Sequence, residues 1–171
     1  VAKTANLLVD GLGLGPGDRI ATLMGKSREY LVTLMAIWRL GAVHVPLFTA
    51  FAPPAIAFRL VASGAKLIVC DSTQRPKLAD SVLPRDAPWR VITTGDVQAD
   101  TLRYEELTAC ARPGPAAAAL GGDAPLIQIF TSGTTGTPKG VLVPLRALAS
   151  FQIYAEYALA LRKDDVFWNA A

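Results

Sequence analysis

Short apolar runs alternate with segments of helical period along most of this chain, a rhythm that few folds satisfy. Residues 2–10 read as helix, Arg19–Met24 as strand and Ser27–Leu40 as helix, with Leu31, Leu34, Met35 and Trp38 recurring on one face. Gly41 stops that helix. Val43–Leu47 is extended, Pro54–Ser63 helical with proline tolerated in the first turn, and Lys66–Cys70 a continuous apolar strand of the kind buried in parallel sheets. A short helix over Pro76–Val82, a strand over Arg90–Thr93 and a helix over Tyr104–Ala111 continue the pattern. The expectation is the α/β class: a parallel sheet flanked by helices on both faces.

Arg112-Pro113-Gly114-Pro115, an alanine run and Gly121-Gly122 then break the rhythm. Proline and glycine at that density do not hold an element interior. The chain therefore divides into a βα-repeat unit over 1–111, a surface linker over 112–125 and a third segment over 126–171. In that third segment Leu126–Phe130 and Val141–Val143 read as strands. Pro144 opens a helix to about Leu161, with Leu148, Phe151, Ala155 and Leu159 on its buried face. Asp165–Ala171 reads as the start of a strand, so the chain looks truncated at its carboxy end.

Between those two strands lies Thr131-Ser132-Gly133-Thr134-Thr135-Gly136-Thr137-Pro138-Lys139-Gly140. Glycine lets a backbone approach an anion with its N–H groups turned inward, hydroxyls donate further hydrogen bonds, and lysine adds a positive charge. This is the composition of a loop that wraps a nucleotide's phosphates. It is not a Walker A loop: counting from Gly133, proline stands where the second glycine belongs, and glycine follows Lys139 in place of serine or threonine. Nor is it a dinucleotide fingerprint, since Val141-Leu142-Val143 after it is strand, not helix. The second glycine cluster, Gly11–Gly17, follows a helix and precedes a strand, so it reads as a helix stop and turn.

The decapeptide resembles, position by position, the phosphate loop of the AMP-forming adenylate synthetases, the superfamily of acyl-CoA synthetases, peptide-synthetase adenylation domains and firefly luciferase. Gly17-Asp18-Arg19-Ile20-Ala21, Leu40–Leu47 and Ser63–Val69 also look like that family's amino-terminal half. The resemblance implies the front part of the large amino-terminal domain of an acyl-adenylate-forming enzyme. It implies ATP, Mg²⁺ and CoA as cofactors and a carboxylic acid as substrate, joined to AMP and then passed to CoA as an acid–thiol ligase does. Ser132, Thr134, Thr135 and Thr137 would donate to phosphate oxygens, Gly133, Gly136 and Gly140 would allow close approach, and Lys139 would oppose the pyrophosphate charge. Pro138 would stiffen the loop, and Thr131 would reach the metal.

The family's Tyr-Gly-x-Thr-Glu stretch, ribose-binding aspartate and hinged carboxy-terminal domain with its lysine are absent, so these 171 residues alone are not expected to turn over. Many relatives carry a histidine just after the loop; Val141–Arg146 has none. Val45–Phe51 looks more like short- or medium-chain acyl-CoA synthetases than like amino-acid or aryl-acid adenylation domains that load a carrier protein. That second activity stays open, as does a non-catalytic nucleotide-binding relative.

Composition narrows the field in the same direction. No apolar run approaches the roughly 18 residues of a membrane span, and no export signal opens the chain, so a cytoplasmic location is expected. The 17 Lys and Arg against 14 Asp and Glu are scattered, without the basic, aromatic-interleaved run of a nucleic-acid surface. Cys70 and Cys110 have no ligand-spaced neighbours, and His44 sits inside a strand as a packed or edge residue. Neither a hydrolytic triad nor a zinc site can be assembled from these residues, and oligomeric state is open.

Overall fold

A computed structural model describes residues 1–79, 89–96, 102–114, 116–132 and 136–168. A helix, α1 (Ala2–Asn6), runs on through a π-helical turn, Leu7–Gly11, and is followed by β1 (Arg19–Leu23), α2 (Arg28–Leu40), β2 (Val43–Pro46), α3 (Pro53–Ser63) and β3 (Leu67–Asp71). After a 3₁₀ turn over Arg75–Leu78 come β4 (Arg90–Thr94), β5 (Leu102–Arg103), α4 (Tyr104–Cys110), β6 (Pro125–Thr131), β7 (Lys139–Pro144) and α5 (Ala147–Ile153), the last continued by a π-helical turn, Tyr154–Ala158.

The strands form one seven-stranded sheet in the order β5-β4-β3-β1-β2-β6-β7. Every neighbouring pair is parallel except the last, since β6 and β7 form an antiparallel hairpin. The parallel sheet expected from the alternation is thus corrected at one edge: a short loop joins adjacent strands only in antiparallel fashion, whereas a parallel pair needs a crossover. Two further elements depart from the sequence reading. The turn expected to be helical from Pro76 is a 3₁₀ turn ending at Leu78, and the rest of that stretch, to Val82, lies outside the described residues. The two-residue β5, too short to show a period, was not foreseen.

Helices on the two faces bury separate apolar layers. On one, Ile20, Leu67, Val69 and Ile92 pack with Ala36, Ile37 and Leu40 of α2 and with Ala5 and Leu8. On the other, Ala21, Leu23, Val45, Ile68 and Cys70 pack with Ile56 and Leu60 of α3. Each fully buried Leu or Ile stabilises the fold by about 1.5–3 kcal/mol relative to exposure.

Helix ends follow local chemistry. Ser27 caps α2 by accepting from the Tyr30 N–H at 3.1 Å, and Gly41, at φ +76°, ends it in the left-handed conformation that side chains resist. The buried face of α2 is Thr33, Ala36, Ile37 and Leu40, a stripe of correct period but displaced from the one expected: Leu31 is 56% exposed and Met35 is also exposed. Size misled the reading, because small Thr33 and Ala36 allow the helix to sit close to the sheet.

The third segment carries the largest corrections. Helix α5 with its π-helical turn runs from Ala147 to Ala158, before Ala160 at φ +50°, but of the face expected to be buried Leu148, Phe151 and Leu159 are exposed, while Ala155 is half-buried. The period marks a face that requires a partner, and no described element covers it. Residues 165–168 are not a strand, and the last three lie outside the described residues.

The proline- and glycine-rich stretch is fastened along its length. Gly114 N–H donates to Ala2 O at 3.0 Å, Ala118 N–H to Arg39 O at 2.9 Å, and the turn at 121–124 receives Leu145 and Arg146 N–H groups through Ala124 O and Gly122 O at 2.8 and 2.9 Å. Arg146 also pairs with Asp123.

Candidate phosphate-binding site

The hairpin places the phosphate loop. β6 lies parallel to β2, with His44 opposite Ile127, so Thr131 leaves the sheet at the same edge as the carboxyl ends of β1, β2, β3 and β4. Ligands of open α/β sheets bind outside that edge. The loop joins two strands, as expected, and Thr131 stands directly opposite Lys139 in the antiparallel register. Directly paired residues share a face with Cβ atoms about 5 Å apart, so the Thr131 hydroxyl and the Lys139 ammonium project from one side of the hairpin. Both are exposed, as are Ser132, Gly136, Thr137 and Gly140. Gly136, at φ +82°, makes the turn that returns the chain toward Lys139. Gly133, Thr134 and Thr135 lie outside the described residues.

The opposite face of the hairpin holds residues that sequence reasoning did not single out. Gln128 is 9% exposed, and its Oε1 has no hydrogen-bond partner. A methyl group on Gly140 would lie 2.7 Å from Gln128 Nε2 and 3.4 Å from Phe130 Cε1, so the strand after the loop closes tightly on these two side chains. A single polar residue inside the apolar run Leu126–Phe130 was the available signal. At the far end of the hairpin the register shifts by one residue between Pro125 and Ile127, a bulge that twists the pair away from the rest of the sheet.

No group of three or more His, Cys, Asp or Glu side chains able to hold a metal occurs among the described residues. A cavity of about 300 Å³ at the carboxyl ends of β1, β3 and β4 includes Asp71 and Glu105, whose carboxylates accept from the Gly25 and Gly95 N–H groups at 2.8 and 3.0 Å. Those acids serve the loops they close. Cys70 is buried beside Thr93 Oγ1 at 3.5 Å, and burial pushes its thiol up to about 11, far from a reactive thiolate. Cys110 is exposed. Among the described residues no helix is long and apolar enough to cross a membrane.

His44 is packed, as its place in a strand implied. Its Nε2 lies 2.8 Å from Thr22 Oγ1 and its ring meets Tyr30 edge-on at 6.3 Å, and burial holds its pKa at about 4. An unfolded histidine takes up a proton near pH 6.5, so between about pH 6.5 and 4 the unfolded chain binds one proton more than the folded one and stability falls with pH. The loss is expected to reach roughly 3 kcal/mol by pH 4. Urea unfolding from pH 7.5 to 4.5 should show this decline in the wild type and a much shallower one in His44→Gln; equal slopes would assign the decline to other groups. The ion pair Asp18–Lys66, at 2.6 Å, acts lower: burial raises the Asp18 pKa, but Lys66 and the Gly15 N–H outweigh it and hold the carboxyl below its usual value.

Comparison with known proteins identifies the family and the fold. The family described as AMP-binding enzyme matches residues 1–171. The chain is 32% identical over its whole length to an acetyl-coenzyme A synthetase of Pseudoalteromonas translucida, covering 29% of that protein. It is 38% identical over 79% of its length to the long-chain-fatty-acid–CoA ligase FadD13 of Mycobacterium tuberculosis, covering 26% of it. The crystal structure of an acyl-CoA synthetase from Brucella canis superposes on 99% of the chain with a TM-score of 0.88 and 38% identity, and the matched part is 31% of that structure. The chain thus spans less than a third of the length of each of these relatives. With its full length matched, a loop of phosphate-binding composition and the relatives' fold, the chain belongs to the AMP-binding enzyme family.

Proposed function

We propose that this chain carries the phosphate-holding part of an ATP-dependent, AMP-forming acyl-CoA synthetase that activates a carboxylic acid, short or medium chain favoured, and passes it to CoA. The observation that carries the reading is the pairing of Thr131 with Lys139 at the mouth of a glycine- and hydroxyl-rich loop, on the carboxyl edge of the parallel strands. A carboxylate oxygen attacks the α-phosphorus of ATP, the bond to the bridging oxygen of pyrophosphate breaks, and the acid leaves as an acyl-adenylate; a thiolate then displaces AMP from the acyl carbon. In such a step the protein mainly positions the reactants and neutralises charge.

The roles proposed here follow from residue chemistry and from the family resemblance. Lys139 opposes the charge of the departing pyrophosphate. Ser132, Thr134, Thr135 and Thr137 donate hydroxyl hydrogen bonds, and Gly133, Gly136 and Gly140 bring the backbone close to the phosphate oxygens. Mg²⁺ fits a site with few protein ligands, because it takes most of its oxygens from phosphates and water; the exposed Thr131 hydroxyl would hold it and help it neutralise phosphate charge.

The test is carboxylate-dependent ATP–pyrophosphate exchange by the full-length protein, across acids from acetate to long-chain and aromatic. Exchange that requires one class of acid is expected, strongest with short or medium chains. Exchange only with amino or aryl acids would favour the second reading, with the acceptor then decided by whether CoA or a carrier protein takes up the acyl group, and none with any acid from folded protein would leave a nucleotide-binding domain without chemistry.

A further inference from the structure

We infer that Arg59 is a positioning residue for the phosphate loop and acts through Phe130, the residue that immediately precedes Thr131. This rests on the nucleotide-binding reading above. Arg59 lies on α3, outside the loop and outside every stretch that carried the family resemblance. Its guanidinium carbon sits 4.1 Å over the ring of Phe51 and 5.9 Å from that of Phe130. Phe58, the preceding residue, meets Phe130 edge-on at 6.3 Å. On its other side Phe130 abuts Gly140, where an added methyl group would come within 3.4 Å of the ring. The side chain just before the loop is thus wedged between α3 and the strand just after the loop.

The cation is the informative part of this wedge. Arg59 Nη1 donates to Ala55 O at 2.8 Å within its own helix, Nε is buried without a partner, and no carboxylate pairs with the guanidinium among the described residues. An apolar side chain of similar length would fill the space without the cost of desolvating a charge. What the guanidinium adds is a flat, delocalised cation that can lie against two aromatic faces at once. One of those faces belongs to the loop between β2 and α3, the other to Phe130 at the end of β6, just before the phosphate loop. Thr131 and Lys139 occupy the opposite face of the same hairpin, so a tilt of Phe130 displaces both. Buried Gln128, on the same face as Phe130, also closes against Gly140.

The experiment is a double-mutant cycle in the full-length protein: Arg59→Met, Phe130→Leu and the two combined, measured by ATP–pyrophosphate exchange with saturating acid and by the ATP-induced rise in Tm. Arg59→Met is expected to raise the KM for ATP about five- to tenfold, with kcat within about twofold. Arg59→Lys, which keeps the charge but not the flat face, should recover only part of that loss, and the double variant should be little worse than the poorer single one. A lowered Tm with an unchanged KM for ATP would overturn the inference, and so would fold-changes that multiply across the cycle. If Arg59→Met does not fold, Phe130→Leu and Arg59→Lys decide by the same criteria. If the wild type shows no exchange at all, the adenylation reading fails by itself; the ATP-induced Tm rise still decides the inference, its loss in Arg59→Met supporting it and its full retention refuting it.

Discussion

Replacing Lys139 by alanine is expected to lower acid-dependent ATP–pyrophosphate exchange by roughly 10²-fold or more in the full-length protein, with little change in Tm. The side chain is exposed at the first residue of β7, so its removal opens no cavity and breaks no described ion pair. In the proposed reaction its loss falls where charge accumulates as pyrophosphate departs, which predicts a drop in kcat larger than any rise in KM. A variant that exchanges at the wild-type rate would remove Lys139 from the site. It would also show that the Thr131–Lys139 pairing serves only the hairpin.

Gly114→Ala is expected to destabilise the protein by about 3 kcal/mol, read by urea unfolding. The added methyl would lie 2.6 Å from Ala2 O and 2.7 Å from Asn6 N, both main-chain atoms of α1 that cannot swing aside as a side chain could. The N–H of Gly114 also donates to Ala2 O, so any retreat from the clash lengthens that bond. Gly121→Ala is the control within the same stretch. Nothing lies within 4 Å of a methyl there, so the change should be near neutral, or slightly stabilising through a less flexible unfolded chain. Equal effects at the two glycines would mean that the contact with α1 contributes nothing to stability. A proline- and glycine-rich composition shows that no regular element can form, but it does not show whether the backbone is free or fastened.

The site was legible in unequal parts. The residue types of 131–140 carry the proposed chemistry, and the apolar runs on either side placed the loop between two strands, where the structure has it. The supporting residues could not be read in this way. Arg59 stands in a helix that any pattern scores as ordinary, and its proximity to Phe130 spans a sequence separation that no local window covers. Gln128 offered a faint mark as a polar residue in an apolar run, but its burial depends on how closely Gly140 packs. His44 was legible as a packed residue because it sits inside a strand; its low pKa depends on the helix that covers it.

By itself the sequence determined where most elements begin and stop, because those signals are local: Ser27 before α2, Gly41 after it, prolines opening α3, and unbroken apolar character over Leu67–Cys70. It also set the residue types of the loop, on which the proposed phosphate-binding role rests. Only the tertiary structure decided that β6 lies beside β2, which sets the loop on the carboxyl edge of the parallel strands, and that β7 returns antiparallel. Which helical stripe is buried was decided at the same level: small Thr33 and Ala36 let α2 approach the sheet while Leu31 and Met35 face outward, and the apolar face of α5 has no described partner. Periodicity states that a face needs covering. What covers it depends on the pairing of strands distant in sequence, whose energy arises only when the whole sheet is assembled.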